Sequence, residues 1–217
     1  MSKAERTRAR IRDAALASFV DRGYVDTTMR LIAAEAEVSV GNAYYYFPSK
    51  EHLVQELYIR VQHEHAALAR PLLAAEKQLV DRLRVVFETG LRTVGPYRRV
   101  APGFLGAMMP PDSPINPLSE ASADARALTV ALFREAVDGS EHRLPPSIAG
   151  ILPDALFGVF LALLLRWTYD SGEGQRQTAR LLDTGLRLFA VAQPFLRVPG
   201  IRGVATDLLT QIAEVRA

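Results

Sequence analysis

Apolar residues return every third or fourth position through most of this chain, the spacing of one face of an α-helix. Ile11, Ala15, Leu16, Phe19 and Val20 set such a stripe and predict a helix from about residue 4 to Arg22. Gly23 follows, a residue that takes positive φ at little cost and so ends helices. Thr27 or Thr28 caps a second, short helix with Ile32, Ala33 and Ala36 on its inward side, ending near Glu35 or Ala36. Ser39 then caps a third, which Pro48 ends. Two short helices joined by a tight turn bury little by themselves and need the first helix as a cover. That is the helix-turn-helix pattern.

The same period continues downstream. Leu53, Leu57, Tyr58 and Val61 predict a helix from Lys50 to about Arg70, with Pro71 as its end or a bend. Leu79, Leu83, Val86, Phe87 and Leu91 predict another over about Glu76 to Val94, broken by Gly95-Pro96. A short helix is expected from about Arg99 to Met109, then a loop over PPDSPINP. Further helices are expected at about Ser119–Val137, Ile148–Tyr169 and Gln175–Phe195, with a last one from Pro199-Gly200 to the C-terminus. No convincing strand and no internal repeat interrupt the series. The fold class expected is all-α: a three-helix helix-turn-helix domain over residues 1–48 and a helical bundle over 49–217.

The third helix raises a question of its own. VGNAYYYF places three adjacent tyrosines in one element. Ala43 and Phe47, four apart, share the inward face. Tyr44, Tyr45 and Tyr46 sweep across about 200 degrees of the helix circumference, so they cannot all be core. At least one must face outward with a ring and a hydroxyl to offer.

Composition narrows the chemistry. The 217 residues carry a formal net charge of only +2, yet Lys3, Arg6, Arg8, Arg10 and Arg12 crowd the first twelve positions against Glu5. A phosphate-seeking arm and a solvated tail are both open readings. There is no cysteine, which excludes disulfides, a zinc finger and a thiol nucleophile. No HExxH, glycine-rich phosphate loop or nucleophile elbow occurs, and His63 and His65 do not share a helix face. Catalysis, a metal or a cofactor is not expected. The basic N-terminus has no apolar stretch behind it, and the apolar run Ala155 to Leu165 is shorter than the roughly 20 residues that cross a bilayer. A cytoplasmic protein with no membrane partner is expected.

Residues 6–53, and within them IRDAALASFVDRGYVDTTMRLIAAEAEVSVGNAYYYFPSKEHL, resemble the DNA-binding domain of TetR-family transcriptional regulators. The phenylalanine late in helix 1, the RGY after it and the spaced TT, IA, VS, Y, YF and SK positions carry the resemblance together. It implies a homodimer whose N-terminal domains read a palindrome in double-stranded DNA, and a C-terminal domain that binds a small molecule. Usually such a protein is a repressor released by that molecule. Helix 3 would enter the major groove. By the resemblance Val40, Gly41 and Tyr44 approach bases, Tyr44, Tyr45 and Lys50 hold phosphates, Thr28 is both cap and phosphate donor, and Arg30 reads guanine. Val40 has no hydrogen-bonding group and can meet only a thymine methyl. Asn42 offers a base or phosphate contact, and Tyr46 either packs or holds phosphate. The bland readings stay open: core for Tyr45, plain surface for Arg30, and solvation of a helix start for Lys50.

Two positions depart from the family pattern. Glu37 stands where a turn glycine is usual, at a cost of about 1 kcal/mol if it is left-handed. Ala43 replaces a more usual leucine and thins the small core. For the effector, the resemblance points to helices 5 to 8, where Phe87, Leu91, Phe104, Met108, Met109, Phe133, Phe157, Phe160 and Trp167 favour a hydrophobic or aromatic ligand. Each is more often plain core than ligand contact, and Arg92, Tyr97, Arg98 and Tyr169 are candidate polar anchors. For the dimer, the two most apolar C-terminal helices offer Leu156, Val159, Leu163, Leu182, Leu186 and Phe189. Three alternatives remain: a regulator without a small-molecule effector, an activator, and a helical interaction protein that binds no DNA.

Overall fold

A computed structural model of the chain describes residues 2–214. Among them every regular element is helical. α1 spans Lys3–Asp26, α2 Met29–Glu35, α3 Val40–Tyr46, α4 Lys50–Ala75 and α5 Leu79–Val94. α6 spans Ala101–Met108, α7 Ala123–Asp138, α8 Pro146–Thr168, α9 Arg176–Ala192 and α10 Pro199–Ala213. The expected continuation of the last helix beyond 214 falls outside the described residues.

Local chemistry explains the boundaries. Ser2 and Glu5 form a reciprocal capping box, so the basic N-terminal segment is helix rather than tail. Gly23 sits at φ +85° and ends the regular part of α1 before Tyr24. Of the two candidate caps, Thr28 accepts from the Leu31 amide, while buried Thr27 donates to the Gly23 carbonyl at 2.7 Å. Ser39 caps α3 by accepting from the Asn42 amide. Glu37, between α2 and α3, is left-handed at φ +53°. Pro71 does not end α4, which continues unbroken to Ala75. A helical proline forfeits one hydrogen bond, and packing of Ala69 and Leu73 into a core holds the helix across it.

The chain divides into two compact units. Of the described residues, the first comprises 2–61 together with Pro96–Ala125; the second comprises Gln62–Gly95 and 126–214. This grouping differs from a cut at residue 48, because the start of α4 and the α6 segment pack with the helix-turn-helix. In the first unit Phe104 from α6 joins Phe19 edge-on at 5.5 Å and Tyr24 at 5.5 Å. The proline-rich loop is fastened there too: Gln55 donates to the Pro114 carbonyl at 2.7 Å and Tyr58 to the Ile115 carbonyl at 3.0 Å.

The second unit is built on Leu79, Leu83, Val86 and Phe87 of α5, Leu132 and Phe133 of α7, Leu152, Leu156, Phe160 and Leu163 of α8, and Leu182 and Leu186 of α9. α8 is long and apolar enough, by length and composition, to cross a bilayer. Its buried side chains are core in this unit. Arg82 is buried and donates to carbonyls near two helix ends: Leu73 in the last turn of α4 and Glu76 just after it, Glu135 and Ala136 in α7.

Candidate nucleic-acid interface

α3 is divided cleanly between two faces. Ala43 and Phe47 are buried with Ile11, Phe19 and Ile32. On the other face Tyr45 is 81% exposed, Tyr44 50% and Val40 39%, with Gly41 exposed between them. Tyr45 is therefore a surface residue and not core. Asn42 and Tyr46 are half-buried, and the Tyr46 ring meets Tyr45 edge-on at 5.2 Å. Thr28 and Arg30 are exposed on the α2 side. The residues singled out at the sequence level thus lie on adjoining elements, α2 and α3, within one unit.

Lys50 has a different local role from that of a free phosphate ligand. Its ammonium donates to the Tyr24 carbonyl at 2.6 Å and the Thr27 carbonyl at 2.9 Å, and lies 4.1 Å from the centre of the Tyr24 ring. It satisfies carbonyls left over where α1 ends. Burial lowers its pKa, while Glu51 and Asp26 pull the other way. Tyr24 completes the clamp by donating to Glu51 at 3.0 Å; its phenol is pushed up by burial and by that bond. Burial pushes the Glu51 carboxyl up, but hydrogen bonds from Ser49, its own backbone and Tyr24, with Lys50 beside it, hold it below its ordinary value. The sequence reading missed Tyr24 and Glu51 as parts of one device. Their signal was the pair RGY and SKE, whose contact closes only in three dimensions.

The basic N-terminal residues are partly engaged. Arg8 pairs with Glu56 at 2.6 Å and lies 5.0 Å from the centre of the Phe47 ring. Arg12 reaches Glu56 at 3.5 Å, and Arg10 donates to the Glu37 carbonyl at 3.4 Å. These contacts brace α1 against α4 and the turn. A cavity of about 10 Å³ beneath them, lined by Arg12, Phe19, Leu53 and Arg60 among others, has room for about one water.

The candidate effector residues divide between the two units. Phe87, Phe133 and Phe160 meet in the second unit, with ring centres 5.1 Å, 6.1 Å and 6.3 Å apart pairwise. Leu91 packs against that cluster, and Phe157 and Trp167 are buried in the same helix as Phe160. Phe104 and Met108 belong instead to the core of the first unit, and Met109 is exposed. The sequence missed His65, which is buried against Phe160 and whose Nε2–H donates to the Val86 carbonyl at 2.9 Å.

Of the candidate dimer residues, Leu156, Leu163, Leu182 and Leu186 are buried in the second unit's own core, and Phe189 packs against it. They pack there with apolar residues of α4, α5 and α7, among them Leu73, Leu83 and Phe133. Val159 is exposed. So are Leu181, Leu188, Val191 and Phe195.

Comparison with known proteins places these features in a lineage. Residues 11–57 match the model described as bacterial regulatory proteins, tetR family, and residues 82–192 match a tetracyclin repressor-like C-terminal domain. An uncharacterized HTH-type transcriptional regulator of Mycobacterium tuberculosis is 48% identical over 46 residues, 21% of this chain and 22% of that protein. The HTH-type transcriptional repressor KstR of Mycolicibacterium smegmatis is 50% identical over 54 residues, 24% of this chain and 26% of that protein. The match therefore spans only about a quarter of these relatives' length. Among solved structures, a TetR transcriptional regulator from Nitrosomonas europaea aligns with a TM-score of 0.64 at 19% identity, covering 84% of this chain and 97% of its own. Thermus thermophilus FadR, solved with lauroyl-CoA, aligns with a TM-score of 0.62 at 26% identity, covering 84% and 93%.

Proposed function

We propose a function that proceeds from one premise: the chain belongs to the tetR family of bacterial regulatory proteins. It is a cytoplasmic homodimeric repressor that binds a palindromic operator and lets go when a small hydrophobic or aromatic effector binds. Residues 1–48 read DNA, and residues 49–217 bind effector and dimerise. The observation that carries this reading is the division of α3, with Ala43 and Phe47 anchored inside and Val40, Gly41, Tyr44 and Tyr45 turned outward.

Each outward group has a part. α3 lies in the major groove and its first residues meet base edges. The hydroxyls of Thr28, Tyr44, Tyr45 and Tyr46 donate to phosphates, and Asn42 reaches a base or a phosphate. The Arg30 fork suits the O6 and N7 of guanine. Lys50 keeps α1 and α4 in register and adds positive charge beside the backbone. Phe87, Leu91, Phe133, Phe157, Phe160 and Trp167 favour an apolar effector. The lauroyl-CoA bound to FadR supports that class, and the repressor KstR supports the direction of control.

The test is selection of genomic DNA fragments by the purified protein at fixed salt, followed by titration of acyl thioesters and aromatic acids. The expected result is an enriched palindrome whose retention falls steeply with salt and is reversed by an apolar compound. Weak retention of all sequences alike would sink the operator reading. Retention unaffected by every apolar compound would leave a DNA-binding regulator without such an effector.

A further inference from the structure

We propose that α3 reads thymine through its 5-methyl group, with Val40 as the side chain that meets it. The inference rests on the DNA-binding reading above and gives it a base. Val40 is the first residue of α3 and is 39% exposed. Its immediate chain neighbours, Ser39 and Gly41, bring no long polar side chain beside it. The Ser39 hydroxyl is held at the helix cap, where it accepts from the Asn42 amide at 3.1 Å. Gly41 has no side chain, and a Cβ built on it meets nothing within 4 Å, so the backbone there is open to close approach. Ala43 is fully buried. The stretch of helix that meets base edges is therefore largely apolar, with the Asn42 amide beside it.

Base chemistry then decides the partner. In the major groove guanine and adenine present donors and acceptors, cytosine a donor and a flat C5–H, whereas thymine projects a methyl group. A valine set against donors and acceptors would strand them without water; set against a methyl, it removes apolar surface on both sides. Tyr44 lies four residues on, on the same face, and 50% exposed. Its ring flanks the methyl while its hydroxyl remains free for the backbone. Val40 is thus a specificity-determining residue for one thymine in each half-site.

The test starts from the duplex that the full-length protein selects out of random oligonucleotides at fixed salt. Each thymine is then replaced by deoxyuridine, which lacks only the methyl. At one thymine per half-site, replacement should weaken binding about fourfold, and about fifteenfold when both half-sites are changed, the scale of one buried methyl each. Val40→Ala, at an exposed position, should reduce that discrimination to under about twofold. The inference is overturned if no thymine is sensitive, if the consensus lacks a fixed thymine, or if the uracil effect persists in full in Val40→Ala. Failure to select any consensus is a different result, and would remove the DNA-binding reading with it.

Discussion

Glu37 carries the clearest backbone strain in the first unit. At φ +53° its Cβ crowds its own carbonyl, which costs a non-glycine residue roughly 1–2 kcal/mol. The turn requires that conformation: the Glu37 amide donates to the Ala34 carbonyl at 3.1 Å and the Val38 amide to the Ala33 carbonyl at 3.0 Å, which reverses the chain between α2 and α3. Glu37→Gly should stabilise the protein by about 0.5–1 kcal/mol in urea unfolding, the strain relieved less the added freedom of the unfolded glycine. An unchanged or lower midpoint would mean the carboxylate contributes more than its strain. His65 is the residue to watch with pH. Burial lowers its pKa below the ordinary 6.5, with the Val86 carbonyl opposing. The unfolded chain therefore takes up a proton before the folded one does. Stability from the neutral, buried ring is complete above that ordinary value and is lost as pH falls from there towards the folded pKa. Urea unfolding at pH 7.5 and 5.5 should show this loss in the wild type and a smaller one in His65→Leu. Equal losses would point to other groups.

Between elements, the approach of α5 to α8 depends on Gly90. A Cβ there would lie 2.6 Å from Cζ and 2.8 Å from Cε2 of Phe160, and 3.1 Å from Cε1 of His65. The Phe160 ring is packed by Phe87 and Phe133, so it has little room to yield. Gly90→Ala should cost about 1–3 kcal/mol by overpacking. Gly185 in α9 is the control, since its Cβ would meet nothing within 4 Å. Gly185→Ala should be neutral or stabilising by up to about 1 kcal/mol from helix propensity alone. The melting temperature should therefore fall for Gly90→Ala and not for Gly185→Ala, and a fall in both would refute the packing argument. Arg82 shows the same dependence on close approach: a Cβ on Gly139 would run into its guanidinium, which is what lets one cation serve carbonyls of α4 and α7.

For the whole molecule the issue is self-association. The inward apolar positions of α8 and α9 are used within the chain, so the proposed dimer must form on what remains outward. Leu181, Leu188, Val191 and Phe195 recur along α9 and the turn after it, all at least half exposed. Leu188→Glu combined with Val191→Glu should leave the monomer folded, because neither side chain is buried. Light scattering should then report a halved mass, and affinity for a palindrome should fall by at least about tenfold relative to a single half-site. An unchanged mass would move the proposed interface to another face.

The helix-turn-helix was legible in the chain because its determinants are local. Gly23 at positive φ, Thr28 and Ser39 as caps, and the four-residue spacing of Ala43 and Phe47 act within one or two turns. Helix type and order followed from periodicity for the same reason. The pairing of faces did not. Leu156 and Leu182 carry the same apolar signal whether they meet α5 or a second copy, and the burial that separates these cases depends on residues far away in sequence. Phe104 likewise reads as one more aromatic residue until α6 sets it beside Phe19 and Tyr24. Lys50 reads as a surface cation until two carbonyls at the end of α1 claim its ammonium. Sequence alone determined which segments coil and which of their faces are apolar, because hydrogen bonding and capping are short-range. Only the tertiary structure decided what each face meets, because apolar burial has no direction and takes its partner from the packing of the whole unit.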